Sequence, residues 1–188
     1  VVEETVAIPS MSVYGLDAAD ELIIGSRLGD GGRFGLHVLS VETGEIEREY
    51  FADAAYDVGG VMQDPYTNLI VGAVVQAEAP QVSWFDQELA QRQAEVDQAL
   101  GGTGGRITSW SQDRQRFVVA LDNGVQPPVY YLYDAPAASL RAVASAYPEA
   151  LQSGVAPRVS ILYPARDGVQ IPAYLTMADG LPTPAPMV

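Results

Sequence analysis

Cysteine and lysine are both absent from this chain, and histidine occurs once, at His37. Without cysteine there is no disulfide framework and no thiolate metal site. Without lysine there is no ammonium group for a phosphate-binding loop. All ten cationic side chains are arginine, set against 24 carboxylates, and the net charge is −14. Such acidity argues against nucleic acid as a partner, because affinity there comes from neutralising phosphates. It favours solubility, and its field would attract a cationic group such as a peptide amino terminus. No apolar run approaches the ~20 residues that a membrane span needs, so no membrane partner is expected. No leader sequence is visible, and the first residue is Val1 rather than methionine. Export is therefore left open, and a soluble cytoplasmic or periplasmic setting fits equally.

What is present is enough apolar surface for a core: 48% of the 188 residues are hydrophobic. That content places the chain among folded rather than disordered sequences. Three segments share a pattern, a polar turn containing Asp followed by a short apolar strand. They are Asp17 to Glu21 before Leu22-Ile-Ile-Gly-Ser26, Asp64 to Asn68 before Leu69-Ile-Val-Gly-Ala-Val-Val75, and Asp113 to Arg116 before Phe117-Val-Val-Ala-Leu121. The strand starts at 22, 69 and 117 are 47 and 48 residues apart. A second strand follows each, at 34–41, 82–85 and 129–133, and two repeats continue into a third, near 46–50 and 140–143. Strands and turns at a period of about 40 to 50 residues are the sequence form of a propeller blade. A β-sandwich with evenly spaced turns is the competing architecture, but it does not require the Asp-turn-strand unit to recur in register.

The expected fold class is thus mainly β: a partial β-propeller of about three antiparallel blades (12–50, 58–100 and 107–145, within 1–146). One helix interrupts the second blade near 86–100. Asp86 is its cap, Leu89, Gln93, Val96 and Leu100 share one side, and Gly101 closes it. Gln91, Arg92, Glu95 and Gln98 are expected to face outward. Residues 147–158, with two prolines and Gly154, read as a linker, 159–178 as a hairpin, and 179–188 as a Pro-rich tail. Asp167-Gly168 suits a tight two-residue hairpin turn with positive φ angles, flanked by β-branched and aromatic residues.

Candidate chemistry is sparse. No serine sits in Gly-x-Ser-x-Gly, and the lone His37 lies within an alternating strand rather than on a loop. A self-contained Ser-His-Asp triad is therefore not expected. Gly101-Gly-Thr-Gly-Gly105 follows a helix instead of preceding one, so it reads as a connection and not as a phosphate cradle. Asp17, Asp20, Glu21 and Asp30 lack calcium-loop spacing and read as turn residues. Tyr130, Tyr131 and Tyr133 read as cross-strand packing, with a channel lining as the functional alternative. Arg166 is a candidate for pairing with Asp167 or with a neighbouring domain. No catalytic, cofactor-binding or metal-ligating residue is assigned, and no cofactor is expected.

Three stretches resemble one family. Trp84-Phe-Asp-Gln-Glu88 precedes the helix. Ile107-Thr-Ser-Trp-Ser-Gln-Asp113 and Tyr130-Tyr-Leu-Tyr-Asp134 belong to the third repeat. Tyr163-Pro-Ala-Arg-Asp-Gly-Val-Gln-Ile-Pro-Ala-Tyr-Leu-Thr176 forms the hairpin. Together they resemble prolyl-oligopeptidase-family serine peptidases, of the acylaminoacyl-peptidase and dipeptidyl-peptidase kind. The likeness is best over 58–177, and residues 1–57 carry only generic blade features. It implies the last blades of a propeller, a junction, and then an α/β-hydrolase domain beyond residue 188 that holds the Ser-Asp-His triad. The partners it implies are that hydrolase domain and peptide substrates, with the blades gating access. The chain alone is then expected to be inactive. Three blades cannot close a ring, so exposed strand edges, and a second copy pairing on them, are expected. A stand-alone propeller-like interaction module is the alternative; it would need a closed ring of at least about four blades.

Overall fold

The computed structural model describes residues 11–27, 32–77, 79–102, 104–123, 126–153, 156 and 158–177. The chain is mainly β, as expected, with four antiparallel sheets and two helices among the described residues. Two compact units divide it, Val1–Ala94 and Glu95–Val188. None of its described helices is long and apolar enough to cross a membrane.

The first unit holds two blade-like sheets. β1 (Met11–Leu16), β2 (Leu22–Arg27), β3 (Phe34–Leu39) and β4 (Ile46–Phe51) pair in chain order. β5 (Val58–Gln63), β6 (Ile70–Val75) and β7 (Gln81–Trp84) form the next meander. The central strands β2, β3 and β6 read as near-continuous apolar runs, and they are buried along most of their length. One core cluster joins the two sheets: Ile23, Leu36 and Val38 from the first, Val58, Ile70 and Ala73 from the second. Phe85, just past β7, extends it by meeting Tyr50 edge-on at 5.1 Å and Phe51 at 5.6 Å. Such tilted ring pairs add about 0.5 to 1.5 kcal/mol each beyond their area.

In the second unit β8 (Gly105–Trp110), β9 (Arg116–Leu121), β10 (Val129–Asp134) and β11 (Ser139–Ser145) form a third meander. Phe117 and Val119 of β9 and Ile107 of β8 are fully buried. The helix α1 (Gln87–Ala99) spans the division between units. Asp86 Oδ1 accepts the amide of Leu89, which makes it the expected cap. At the other end Gly101 and Gly102 take φ angles of +65° and +76°. Their amides donate to the carbonyls of Gln98 and Asp97, the paired bonds of a Schellman closure. Leu89 and Val96 are fully buried on the expected side. Glu95 departs from expectation: its carboxylate accepts the Tyr133 hydroxyl at 2.8 Å instead of facing water. A short helix, α2 (Pro148–Ser153), precedes the final ribbon of β12 (Arg158–Pro164) and β13 (Gln170–Thr176).

Every blade-like sheet opens with a hairpin whose loop starts 47 residues after the last: Asp17, Asp64 and Ser111. Asp17 Oδ1 accepts the amides of Ala19 and Glu21, and Asp64 Oδ1 those of Tyr66 and Thr67. The amide of each loop-opening residue donates across the loop, to Glu21, Leu69 and Arg116 respectively. A non-glycine residue in each loop, Asp20, Asn68 or Arg114, sits at φ +52° to +61°. The third repeat corrects the sequence register. Ser111 occupies the loop-opening place, its hydroxyl accepts the Arg116 amide, and it donates to Asp113 two residues on. That bond, with the Gln115 amide second, holds the Asp113 carboxyl below the usual range.

The terminal hairpin also differs from expectation. Ala165 donates its amide to Val169 and accepts from Gly168, so three residues, Arg166 to Gly168, form the loop. Only Gly168 has positive φ, +88°, while Asp167 Oδ1 accepts the Val169 amide. This is a type I turn with a glycine bulge, which sets the register that pairs Pro164 with Gln170.

Asp64→Ala strips two loop amides of their acceptor at a buried position. It should destabilise the first unit by about 1 to 3 kcal/mol in urea unfolding, and Asp64→Asn by much less. Equal losses for both variants would show that the carboxylate charge, not its acceptor geometry, holds the turn.

Candidate functional site

The sequence candidates do not converge. His37, on β3, is buried, and its Nδ1 lies 2.9 Å from Ser26 Oγ on β2. Burial pushes the imidazole below its usual pKa, and the Glu49 carboxylate only partly opposes it. A serine beside a histidine invites a nucleophilic reading, but Ser26 is also buried, at 4% exposure. No substrate carbonyl reaches this pair, and each group satisfies the other's polar atom inside the sheet.

The carboxylate of Asp17 is occupied by its own loop and by the Tyr50 hydroxyl. Tyr50 is pushed up to about 12, by burial first and then by Asp17. Glu21 pairs with Arg48, and Asp20 serves as the left-handed turn residue. Asp30 lies outside the described residues. Among the described residues no three His, Asp or Glu side chains are grouped to hold a metal ion. Gly101 and Gly102 spend their amides on helix carbonyls. Tyr133 packs against Phe117 and bonds Glu95, whereas Tyr130 is exposed. Arg166 is exposed on the hairpin turn.

A different place in the first unit has the form of a binding site. Where β1, Arg27, Arg33, Phe34 and the start of β5 meet, a cleft of about 690 Å³ opens. Its floor is aromatic. At Gly25 an added Cβ would stand 2.4 Å from the Phe34 ring and 2.6 Å from the Tyr14 ring. Only glycine at that strand position lets both rings lie over the backbone. Gly59 does the same for Gln76, whose amide nitrogen would be 2.1 Å from a Cβ there. Burial raises the Tyr14 phenol above its ordinary pKa, so it stays a neutral hydroxyl.

Asp57 fixes one rim. Its Oδ1 accepts the Phe34 amide at 2.7 Å and its Oδ2 accepts Arg27 Nη2 at 2.9 Å. The backbone bond, more than the guanidinium, holds its carboxyl below the usual range. Arg27 Nη1 in turn donates to the Gly32 carbonyl at 2.7 Å. Arg33 is exposed beside them, and its field reaches both Asp57 and Asp53. Just before Asp57 in sequence, Asp53 Oδ1 accepts the amides of Ala55 and Tyr56, shaping the loop that presents Tyr56. None of this was read from sequence, because the residues come from separate strands and loops. Glycines inside apolar strands, Gly25 and Gly59, were the available signal.

No family model matches the chain. Among curated proteins it is similar to a dipeptidyl aminopeptidase, BIII, of Pseudoxanthomonas mexicana, at 27% identity over 125 residues. That match covers 66% of this chain but only 18% of the relative's length. The likeness supports relation to a peptidase, at the level of part of a larger protein.

Neutral, buried His37 binds fewer protons when folded than when unfolded. Stability is therefore full above about pH 6.5 and falls as pH drops from there through the lowered native value. The native chain should show this loss in its urea midpoint, and His37→Asn should lack it. Ser26→Ala should cost about 1 to 3 kcal/mol at pH 7.5 by removing a buried partner. A midpoint that is flat from neutrality to the onset of carboxylate titration would contradict the assignment.

Proposed function

We propose that this chain is the non-catalytic part of a serine peptidase related to prolyl oligopeptidase. On this reading its three meander sheets are propeller blades, and its terminal hairpin leads into an α/β-hydrolase domain. Peptide bonds are cut there by a serine nucleophile, a histidine base and an orienting aspartate. The blades contribute selection by access, admitting short or unfolded peptides, which requires no reactive side chain among them.

The observation that carries the reading is the likeness to one part of a dipeptidyl aminopeptidase. Three further features support it. The hairpin-opening loops recur every 47 residues, which suits stacked blades. The single histidine is sealed within a sheet, so it is not placed to act as the base of a Ser-His-Asp triad. The β12–β13 ribbon puts Val159, Ile161, Tyr163, Ile171, Ala173 and Leu175 on one face. Val159 and Tyr163 remain 54% and 46% exposed. A two-stranded ribbon is marginal alone, and on this reading the hydrolase domain covers that face.

The 188-residue chain should hydrolyse no dipeptidyl or acyl-aminoacyl chromogenic substrate. A longer chain that continues into a Gly-x-Ser-x-Gly domain should do so and should be silenced by replacing that serine. Turnover by the 188 residues alone, or a parent gene without such a domain, would overturn the reading.

A further inference from the structure

We propose that the cleft beside Arg33 binds the free terminal carboxylate of a peptide or acylamino acid whose last side chain is apolar. The first argument is charge. In a chain of net charge −14, this rim sets two guanidinium groups against the Asp57 carboxylate. Both oxygens of Asp57 are engaged, by the Phe34 amide and by Arg27. Arg27 is held further by the Gly32 carbonyl, so its fork is fixed. Arg33 has no ion-pair partner among the described residues. Within the cleft lining the surplus is one positive charge, partly offset by Asp53 nearby, and it is presented by a planar fork that matches the two oxygens of a carboxylate. A single surplus charge with Asp57 and Asp53 nearby suits a monoanion better than a phosphate dianion, and it repels an amine.

The second argument is shape. The Tyr14 and Phe34 rings, laid over Gly25, give an apolar surface in the same cleft as the two guanidinium groups. Gln76, placed over Gly59, offers both an amide donor and a carbonyl acceptor, the complement of a peptide unit. Tyr56 also lines the cleft. A volume of about 690 Å³ lies in the usual range of about 300 to 1,000 Å³ for small-molecule sites. An apolar side chain on the rings, its carboxylate on Arg33 and its amide at Gln76 would fill the three features at once. The proposal stands without the peptidase reading, since it concerns binding by residues 12–76 alone.

The test is binding to the whole chain, followed by backbone amide NMR. N-acetyl-phenylalanine, N-acetyl-phenylalanine amide and N-acetyl-glutamic acid α-amide are each titrated at constant ionic strength and pH. The free acid should shift the amides of Phe34, Tyr56, Asp57 and Gly59 saturably. Its neutral amide should bind at least ~10-fold more weakly, a difference worth one decade of dissociation constant. Arg33→Gln, an exposed substitution that leaves the fold intact, should weaken the free acid by a similar factor while leaving the rest of the spectrum unchanged. The proposal is overturned by no saturable shift up to about 10 mM ligand, well beyond a millimolar dissociation constant. It is overturned equally by acid and amide binding alike, by Arg33→Gln binding as the native chain does, or by tighter binding of the glutamate derivative.

Discussion

The structure depends on a recurrent reversal of the backbone at a place where water is scarce. Each blade-like sheet begins with two strands joined by five or six residues, and in the first two the loop's opening residue is buried. Asp17 and Asp64 are 6% and 4% exposed. Backbone amides turned inward there need acceptors, and the chain supplies them from within the loop. A short carboxylate reaches amides two to four residues on and leaves the strand pairing undisturbed. Ser111 solves the same problem by relay, its hydroxyl bridging the Arg116 amide and Asp113. Because the loop sets the register of its hairpin, it also decides which side chains of β2, β6 and β9 face the core.

Within the first unit the same economy of backbone partners joins one sheet to the next. Asp57 precedes β5 yet satisfies an amide at the start of β3. Gln63, at the end of β5, donates to the Tyr14 carbonyl on β1, where an irregular pairing near Gly15 turns that carbonyl outward from its own ladder. Apolar contact between Ile23, Leu36, Val58 and Ala73 supplies most of the attraction. The two polar links fix how far one sheet can slide along the other. The cleft lies at this seam, lined by the Tyr14 and Phe34 rings that Gly25 admits and by the Gln76 side chain that Gly59 admits.

How much was legible in sequence follows from how local each feature is. The second strands, β2, β6 and β9, announced themselves through apolar runs, and α1 through Asp86, its apolar positions and Gly101. The first strands, β1, β5 and β8, did not, because Gly15, Gly59, Gly60 and Gly105 dilute their pattern. Glu95 was misplaced since helical spacing alone does not reveal a hydroxyl 38 residues away. Asp113 seemed equivalent to Asp17 because residue type, not loop position, was compared. The hairpin turn was assigned to the right residues but given two loop positions, where the backbone uses three. The cleft was invisible for a plainer reason: Tyr14, Arg33 and Gln76 meet only after two sheets have packed.

The terminal ribbon has a temporal consequence. Its strands are close in sequence, so it closes within about 1 to 10 µs of becoming free. Ribosomes add only ~5 to 20 residues each second. On the reading proposed above, the ribbon therefore presents Val159, Ile161 and Leu175 to solvent for seconds before a covering domain could be made. During that interval neighbouring nascent chains on one messenger are the nearest hazard. Repulsion among chains bearing the charge of −14 gives them a reason to stay apart that no local contact supplies. Acidity, on this view, is a property of the chain's birth as much as of its folded surface.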